Sequence, residues 1–456
     1  EEYGESKIMN GTVEEIGKLL DLGKVTSLEL VTSALKEIEN DEGQGQTTFT
    51  KTYADQAKAQ AIGIDKLRAE GLVLSPIAGM PISIKDLFDV AGETTMAGSR
   101  VRKNSAPAAR DADIIKKLRS AGAILIGRTN MTEFAFSGLG INPHYGTPLN
   151  PWNRDEARIP GGSSSGAAVS VSDNMAVAGI GTDTGGSVRI PSALCGLTGF
   201  KPTAARVSTS GAFPLSTTLD SIGPLARSVN CCAILDQVMR GQATGHIVDR
   251  PIETLTLAVP QTLVFDEIED KVANDFQRVM SLLSNLGAKI IDIPFDVLSE
   301  IPKANSKGGY AAIEAFVALH DLLKKDENSF DPRVAVRIKR GEQMTAREYI
   351  ELMNARRTIC ETSNKITRNF DALLMPTVPV IAPILKDLEN SDDFYHQVNL
   401  LMLRNCSFGN FLDRCAVSLP IHEPETAPVG LMVMGESDGD DRLLEIAKTI
   451  ETAIKR

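Results

Sequence analysis

The stretch Gly161–Cys195, GGSSSGAAVSVSDNMAVAGIGTDTGGSVRIPSALC, decides how the rest of the chain is read. It is rich in Gly and Ser and poor in long polar side chains. Glycine has no Cβ, so such a segment brings backbone amides and hydroxyls close to a small ligand. This points to the catalytic centre of a hydrolase.

Two turns inside the stretch compete for the nucleophile. Gly162-Ser163-Ser164-Ser165-Gly166 fits G-x-S-x-G, the nucleophile elbow of α/β-hydrolases, with Ser164 at its centre. An elbow follows a buried strand, however, and Pro160-Gly161 stand where that strand belongs. The five histidines offer no clear base, and His422 sits in a polar HEPET loop. The second turn, Gly185-Gly186-Ser187, accounts for more residues. A Ser preceded by two glycines at the start of a short helix (VRIPSAL) is surrounded by free N–H groups, as an oxyanion hole requires. Without a histidine, its base would be a lysine kept neutral by burial or by nearby positive charge. Lys85, at the end of the apolar run Gly79–Asp86, is the candidate.

Composition bounds the alternatives. The formal net charge is −11, with no long basic run, so nucleic acid is not an expected partner. No GxGxxG follows a strand and no GxxxxGK occurs, which removes dinucleotide and P-loop chemistry. Cys195, Cys231, Cys232, Cys360, Cys406 and Cys415 form no CxxC, and the histidines are scattered. We therefore expect reduced thiols, no metal site, no cofactor and a cytoplasmic location. No apolar run reaches the ~18–20 residues of a membrane span. The opening EEYGES has neither the basic nor the apolar region of a signal peptide.

Along the chain, Thr12–Glu15 and Thr26–Glu29 read as capping boxes opening two amphipathic helices. Asp41–Gln46 reads as a loop and Ala54–Glu70 as a helix. Strands are expected at Gly79–Asp86, Ala123–Gly127, Met175–Ile180, Leu255–Val259, Lys289–Ile293, Ala372–Pro376 and Val429–Met434. Helices are expected over Asp111–Ala121, Asp270–Leu286 and Asp441–Arg456. This rhythm predicts an α/β fold, a mostly parallel sheet with helices on both faces. Residues 295–369 break the rhythm. They are charged, helical and strand-poor, and predict a cap-like excursion within a single domain spanning 1–456.

The motifs PGGSSSGAAVSV, GTDTGGSVRIPSALCGLTGFKPT and AGMPISIKDLFDVAGETT resemble the amidase signature family. GRTNMTEFAFSG, STTLDSIGPLARSV, MPTVP and PVGLMVMG extend the resemblance over most of the chain, densest from Ile77 to Val229. The resemblance implies a large mixed, twisted sheet and a Ser–cis-Ser–Lys triad. Ser187 falls on the nucleophile, Ser163 on the bridging serine after a cis bond from Gly162, and Lys85 on the base. The oxyanion hole falls on the amides of Thr184, Gly185, Gly186 and Ser187. Asp183 and Arg189 are expected to brace the site as an ion pair, Ser164 and Ser165 to cap the following helix, and Cys195 to be core.

The implied reaction is hydrolysis of a small-molecule amide through an acyl-serine, releasing ammonia or an amine. Met131, Phe134, Phe136, Leu139 and Ile190 are the acyl-pocket candidates. Some relatives that act on dicarboxylate half-amides carry an arginine three positions after the nucleophile, where this chain has Ile190. Arg333, Arg337 and Arg340 read as a solvated helix face. The alternative is a glutaminase component of a tRNA-dependent amidotransferase, whose SSNLARYDG-like segment has no clear counterpart at Asn305–Tyr310. A catalytically dead binding protein is disfavoured by the presence of all three triad residues. A homodimer is the assembly considered.

Overall fold

The computed structural model describes residues 8–455; the acidic opening lies outside them. Eleven strands among the described residues form one sheet. They are β1 (Phe49–Thr52), β2 (Pro81–Lys85), β3 (Ile124–Thr129), β4 (Ala178–Asp183), β5 (Thr198–Lys201), β6 (Ser221–Ala226), β7 (Thr256–Pro260), β8 (Lys289–Ile293), β9 (Ala372–Pro376), β10 (Ala416–Pro420) and β11 (Gly430–Met434). Their spatial order is β1-β3-β2-β4-β6-β5-β10-β11-β9-β7-β8.

Strand periodicity accounts for the layers. Successive side chains of a strand point to opposite faces. Leu257, Leu374, Val417, Leu431 and Val433 join one apolar layer. Their neighbours Ala258, Leu373, Ala416, Met432 and Met434 join the other. On the first face lie the helices Ser27–Glu39, Asp113–Ser120, Val229–Met239, Asp270–Asn285 and Asp440–Ile454. On the second lie Arg189–Leu194 and Asp392–Phe411. Both expected capping boxes are formed, at Thr12 and Thr26. No helix among the described residues is long and apolar enough to cross a membrane.

The mixed α/β sheet is as expected, but it is not mostly parallel. The pairs β2–β3, β2–β4, β7–β8 and β7–β9 are parallel. The other six pairs are antiparallel and occupy the centre and one edge. The sequence reading found only strands that alternate with helices. It missed β1 and β5, of four residues each, β6, which contains Gly and Pro, and β10. The expected strand Met175–Ile180 lies three residues further along, so that it delivers Asp183 at its end. The Asp41–Gln46 loop yields at Gly45 to a one-turn helix.

The helical segment falls between β8 and β9 and contains the helices Gly309–Asp326, Pro332–Lys339 and Ala346–Thr367. Glu314 ties it to the sheet. Its carboxylate accepts from Ser216 Oγ at 2.7 Å and from the Thr218 hydroxyl at 2.8 Å, in the loop that leads into β6.

Candidate active site

Three adjacent strands converge on the site. β2 and β4 run parallel, so their C-terminal ends, carrying Lys85 and Asp183, lie side by side. β6 runs antiparallel to β4 and brings in Ser221, whose hydroxyl donates to the Asp183 carbonyl at 2.6 Å. A crevice at the carboxyl ends of strands is the usual place for a ligand in an open α/β sheet.

Lys85 is fully buried. Its Nζ donates to Ser163 Oγ at 2.7 Å, Ser164 Oγ at 3.0 Å and Thr182 Oγ1 at 2.9 Å. Burial penalises the ammonium and lowers its pKa to about 7, with Asp183 and Asp220 opposing part of the shift. Lys201 is a second buried lysine, its pKa lowered to about 8 by burial and by Arg189. Its Nζ donates to the carbonyls of Pro202 at 2.5 Å and Arg414 at 2.8 Å, so it holds backbone rather than a hydroxyl.

The serine turn is set by the TNM segment. The Gly162–Ser163 peptide is cis. The Thr132 amide donates to the Ser163 carbonyl at 3.1 Å, and the Gly166 amide to the Asn130 carbonyl at 2.9 Å. Close approach requires Gly162 itself: a Cβ there would meet the Gly140 nitrogen at 2.6 Å. The expected side-chain caps are not formed. Ser164 occupies the N-cap position of helix Ser165–Ser172 without a capping bond. Its hydroxyl instead bonds Lys85 and donates to the Thr182 carbonyl at 3.3 Å, while Ser165 Oγ donates to the Asn130 carbonyl at 3.3 Å. The cause is proximity. β4 has Gly at 181, and a Cβ there would lie 2.5 Å from Ser164 Oγ.

Ser187 lies in the loop between β4 and helix Arg189–Leu194. Asp183 and Arg189 form the expected buried ion pair, at 3.0 Å. Asp183 also accepts from the amides of Gly186 at 2.8 Å and Val188 at 3.2 Å, so one carboxylate shapes the whole loop. Burial alone would raise its pKa. The Arg189 guanidinium, Lys201 and the Asn410 amide more than reverse that and hold it below the usual carboxylate range. The Gly186 N–H is therefore spent on Asp183. This corrects the expectation that it shares the oxyanion role. The amides of Thr184, Gly185 and Ser187 have no protein acceptor among the described residues. Among the same residues no hydrogen bond joins Ser163 Oγ to Ser187 Oγ, and no histidine bonds any of these serines.

Replacing Arg189 by Met strands the buried Asp183 carboxylate. Breaking a buried pair from one side costs about 3–5 kcal/mol. The expected result is a clearly lowered urea midpoint, and an unchanged midpoint would refute the bracing role.

Ser187, Thr184 and Gly185 line a cavity of about 650 Å³ whose walls include Leu219, Ile301, Tyr310, Leu403 and Phe411. Of the expected acyl-pocket residues only Phe136 lines it. Met131, Phe134, Leu139 and Ile190 are buried core. The turn Glu133–Ala135 folds Phe134 back between Phe213 and Phe330, with ring centroids 5.4 and 5.5 Å away. Ile190 packs beneath Gly186 and Gly138 instead of entering the cavity. The solvated-face reading also fails for Arg337, which lines the cavity, stacks on the Phe136 ring at 4.5 Å and donates to the Phe136 carbonyl at 2.7 Å. Arg340 lines the cavity too but is exposed, as expected. Arg333 is not solvated either: its side chain is 16% exposed, stacks on the Tyr395 ring at 4.7 Å and pairs with exposed Asp392 at 2.7 Å. Cys195 is buried core, as expected, and all six cysteines are free.

The family model for Amidase matches residues 29–444. The chain belongs to the amidase signature family. It is similar to 2-amino-5-chloromuconic acid deaminase of Comamonas testosteroni, with 33% identity over 88% of this chain and 87% of that protein. It is 29% identical to the A-type component of the glutamyl-tRNA(Gln) amidotransferase of Natranaerobius thermophilus, over 98% of this chain and 96% of that one. A crystal structure of an amidase superposes with a TM-score of 0.87 at 30% identity, covering 97% of this chain and 99% of that one. The protein is accordingly an amidase-type hydrolase acting on C–N amide bonds.

In this amidase, reading the sequence missed Thr182 and Asp220 as neighbours of the site, and Ser164 as a partner of Lys85. Asp220 accepts from Thr184 Oγ1 at 2.5 Å and from the amides of Leu215 at 3.0 Å and Ser216 at 3.1 Å. Burial raises its pKa to about 6. Its place inside STTLDSIGP was the available signal, but nothing local says that this loop folds against the Thr184–Ser187 turn.

Proposed function

We propose that this amidase hydrolyses a small-molecule amide through an acyl-Ser187 intermediate, with Ser163 as bridging hydroxyl and Lys85 as base. The observation that carries the reading is the buried Lys85 Nζ, 2.7 Å from Ser163 Oγ, beneath the cavity lined by Ser187. Neutral Lys85 takes a proton from Ser163, which takes one from Ser187. Ser187 Oγ adds to the amide carbon. The oxyanion is met by the free amides of Thr184, Gly185 and Ser187, and one such donor is typically worth about 3–4 kcal/mol. Ser163 returns a proton to the leaving nitrogen, the C–N bond breaks, and ammonia or an amine departs. Water then cleaves the ester by the same relay, leaving the acid and free Ser187. A hydroxyl suits the middle position because it donates and accepts at once. The relay requires Ser187 Oγ to close on Ser163 Oγ, and such bonds commonly tighten only once substrate is bound. A panel of amides, carbamates, ureas and esters, read as ammonia or amine release, tests the reading.

The second reading is a glutaminase that passes ammonia to a partner protein. Near-complete coverage of the amidotransferase relative favours it. The absence of Arg or Asp in Asn305–Tyr310, where such glutaminases hold glutamine, weighs against it. If it holds, the isolated chain releases ammonia from glutamine in preference to other amides. If glutamine is no better than a simple aliphatic amide, this reading is wrong.

A further inference from the structure

The cavity above Ser187 is lined by three arginines, Arg337, Arg340 and Arg404, and by one acidic side chain, Glu267. The whole chain carries a net charge of −11, so this local excess of cations runs against the composition. The arginines make no ion pair with protein among the described residues; their partners are neutral acceptors. Arg337 Nη1 donates to the Phe136 carbonyl at 2.7 Å, and Arg340 Nη2 to the Ser306 carbonyl at 2.9 Å. Arg404 uses all three of its nitrogens on protein acceptors, the carbonyls of Asp266 at 2.7 Å and Val264 at 2.9 Å and the Asn405 side-chain oxygen at 3.0 Å, whereas Arg337 and Arg340 each use one. Arg337 and Arg340 therefore keep unused N–H donors. Burial lowers the Arg337 pKa to about 10, as expected of a guanidinium lacking a counter-charge. Arg337 is half-buried and Arg340 exposed, so both guanidinium groups can be reached by an incoming anion.

A helix start adds to the positive field. Helix Gly309–Asp326 begins on the cavity wall with no side-chain cap, and Gly308 and Gly309 both have positive φ. Its first-turn amides have no partner within the helix, and an uncapped start favours an anion. Arg340 sits beside it: a Cβ at Gly308 would come within 3.9 Å of the guanidinium carbon.

We propose that the substrate is an amide bearing a carboxylate, which Arg337 and Arg340 hold at the start of helix Gly309–Asp326 while its amide carbon lies at Ser187. The inference rests on Ser187 being the nucleophile. The carboxylate takes no part in the covalent steps. Ser187 displaces ammonia or an amine from the amide end, and water then releases a dicarboxylate. A planar carboxylate matches a guanidinium fork through two parallel N–H···O bonds. The mostly apolar wall suits a short hydrocarbon spacer. Ile190 stands three positions after the nucleophile, so here the charge comes from the helical segment between β8 and β9.

The test compares monoamides of three- to six-carbon dicarboxylic acids with their diamides, which match in size but lack the charge. We expect kcat/KM for the best monoamide to exceed that of its diamide by at least about 10-fold, mainly through KM. In Arg337→Gln and Arg340→Gln this ratio falls toward one, and Arg337→Lys keeps part of it. A merely structural loss would lower both substrates in parallel, leave the ratio intact and overturn the proposal. Succinate should protect Ser187 from a fluorophosphonate probe, and inorganic phosphate should not; equal protection by phosphate would overturn the carboxylate assignment. If the probe labels Ser187 but diamides match or beat monoamides, the carboxylate proposal fails and the nucleophile stands. If Ser187 does not react and no amide is turned over, the underlying reading fails.

Discussion

Ser187→Ala lowers turnover of every accepted amide by at least about 10⁴-fold and removes the covalent intermediate. The loss falls on chemistry, not folding. The Ser187 side chain makes no hydrogen bond within the protein among the described residues. Its carbonyl, which accepts from the Ser164 amide at 3.3 Å, survives the substitution. Asp183 still holds the loop through the amides of Gly186 and Val188. The thermal midpoint should therefore change little, as for substitutions away from packing and polar networks. Intact-mass analysis after treatment with a fluorophosphonate should show one adduct on the wild type and none on the variant. An adduct that persists would move the nucleophile to Ser163 or Ser164, and with Ser164 the G-x-S-x-G elbow would return.

Lys85→Ala lowers kcat by about 10²–10⁴-fold near neutral pH, the range that a positioned acid–base group contributes. Alanine removes the three contacts from Nζ to Ser163, Ser164 and Thr182, so nothing accepts the serine proton. Lys85→Arg separates charge from basicity. Arginine keeps a cation but stays protonated, so it should be as inactive as alanine. The pH profile follows from the direction of the shift. Burial disfavours the ammonium and brings its pKa to about 7, and the working form is the neutral amine. Activity should rise as pH climbs through about 7 and fall about tenfold per unit below it. A flat profile between pH 5.5 and 8.5, or near-wild-type activity in Lys85→Ala, would remove Lys85 as the base.

Much of this protein is legible in one dimension, where the signal is local. Capping boxes at Thr12 and Thr26 involve residues three apart, and both form. The strands around Lys85, Ile124, Lys289 and Ala372 are short apolar runs bounded by turns, and each exists within a few residues of its expected place. The family is legible because its motifs place rare residue types at set spacings, and the match spans residues 29–444. The pairing of Lys85 with Ser163 was inferred from those motifs, and the two atoms lie 2.7 Å apart.

The long-range contacts were decided by tertiary structure. Ser164 looks like a helix cap in sequence. Folding sets it against Gly181 on β4, where Lys85 and the Thr182 carbonyl compete for its hydroxyl. Phe134 looks like a pocket residue because it follows the TNM motif, yet a tight turn sends it into the core against Phe213 and Phe330. Arg337 looks like a solvated arginine, yet its helix packs over the cavity and puts its guanidinium on the Phe136 ring, 201 positions away in the chain. The chain's own order thus determined the family, and it carries the proposal of a nucleophile, a bridging hydroxyl and a base, because motifs are matters of residue type and spacing. Only the folded sheet decided which groups line the cavity, because burial and charge balance depend on neighbours that sequence distance does not report.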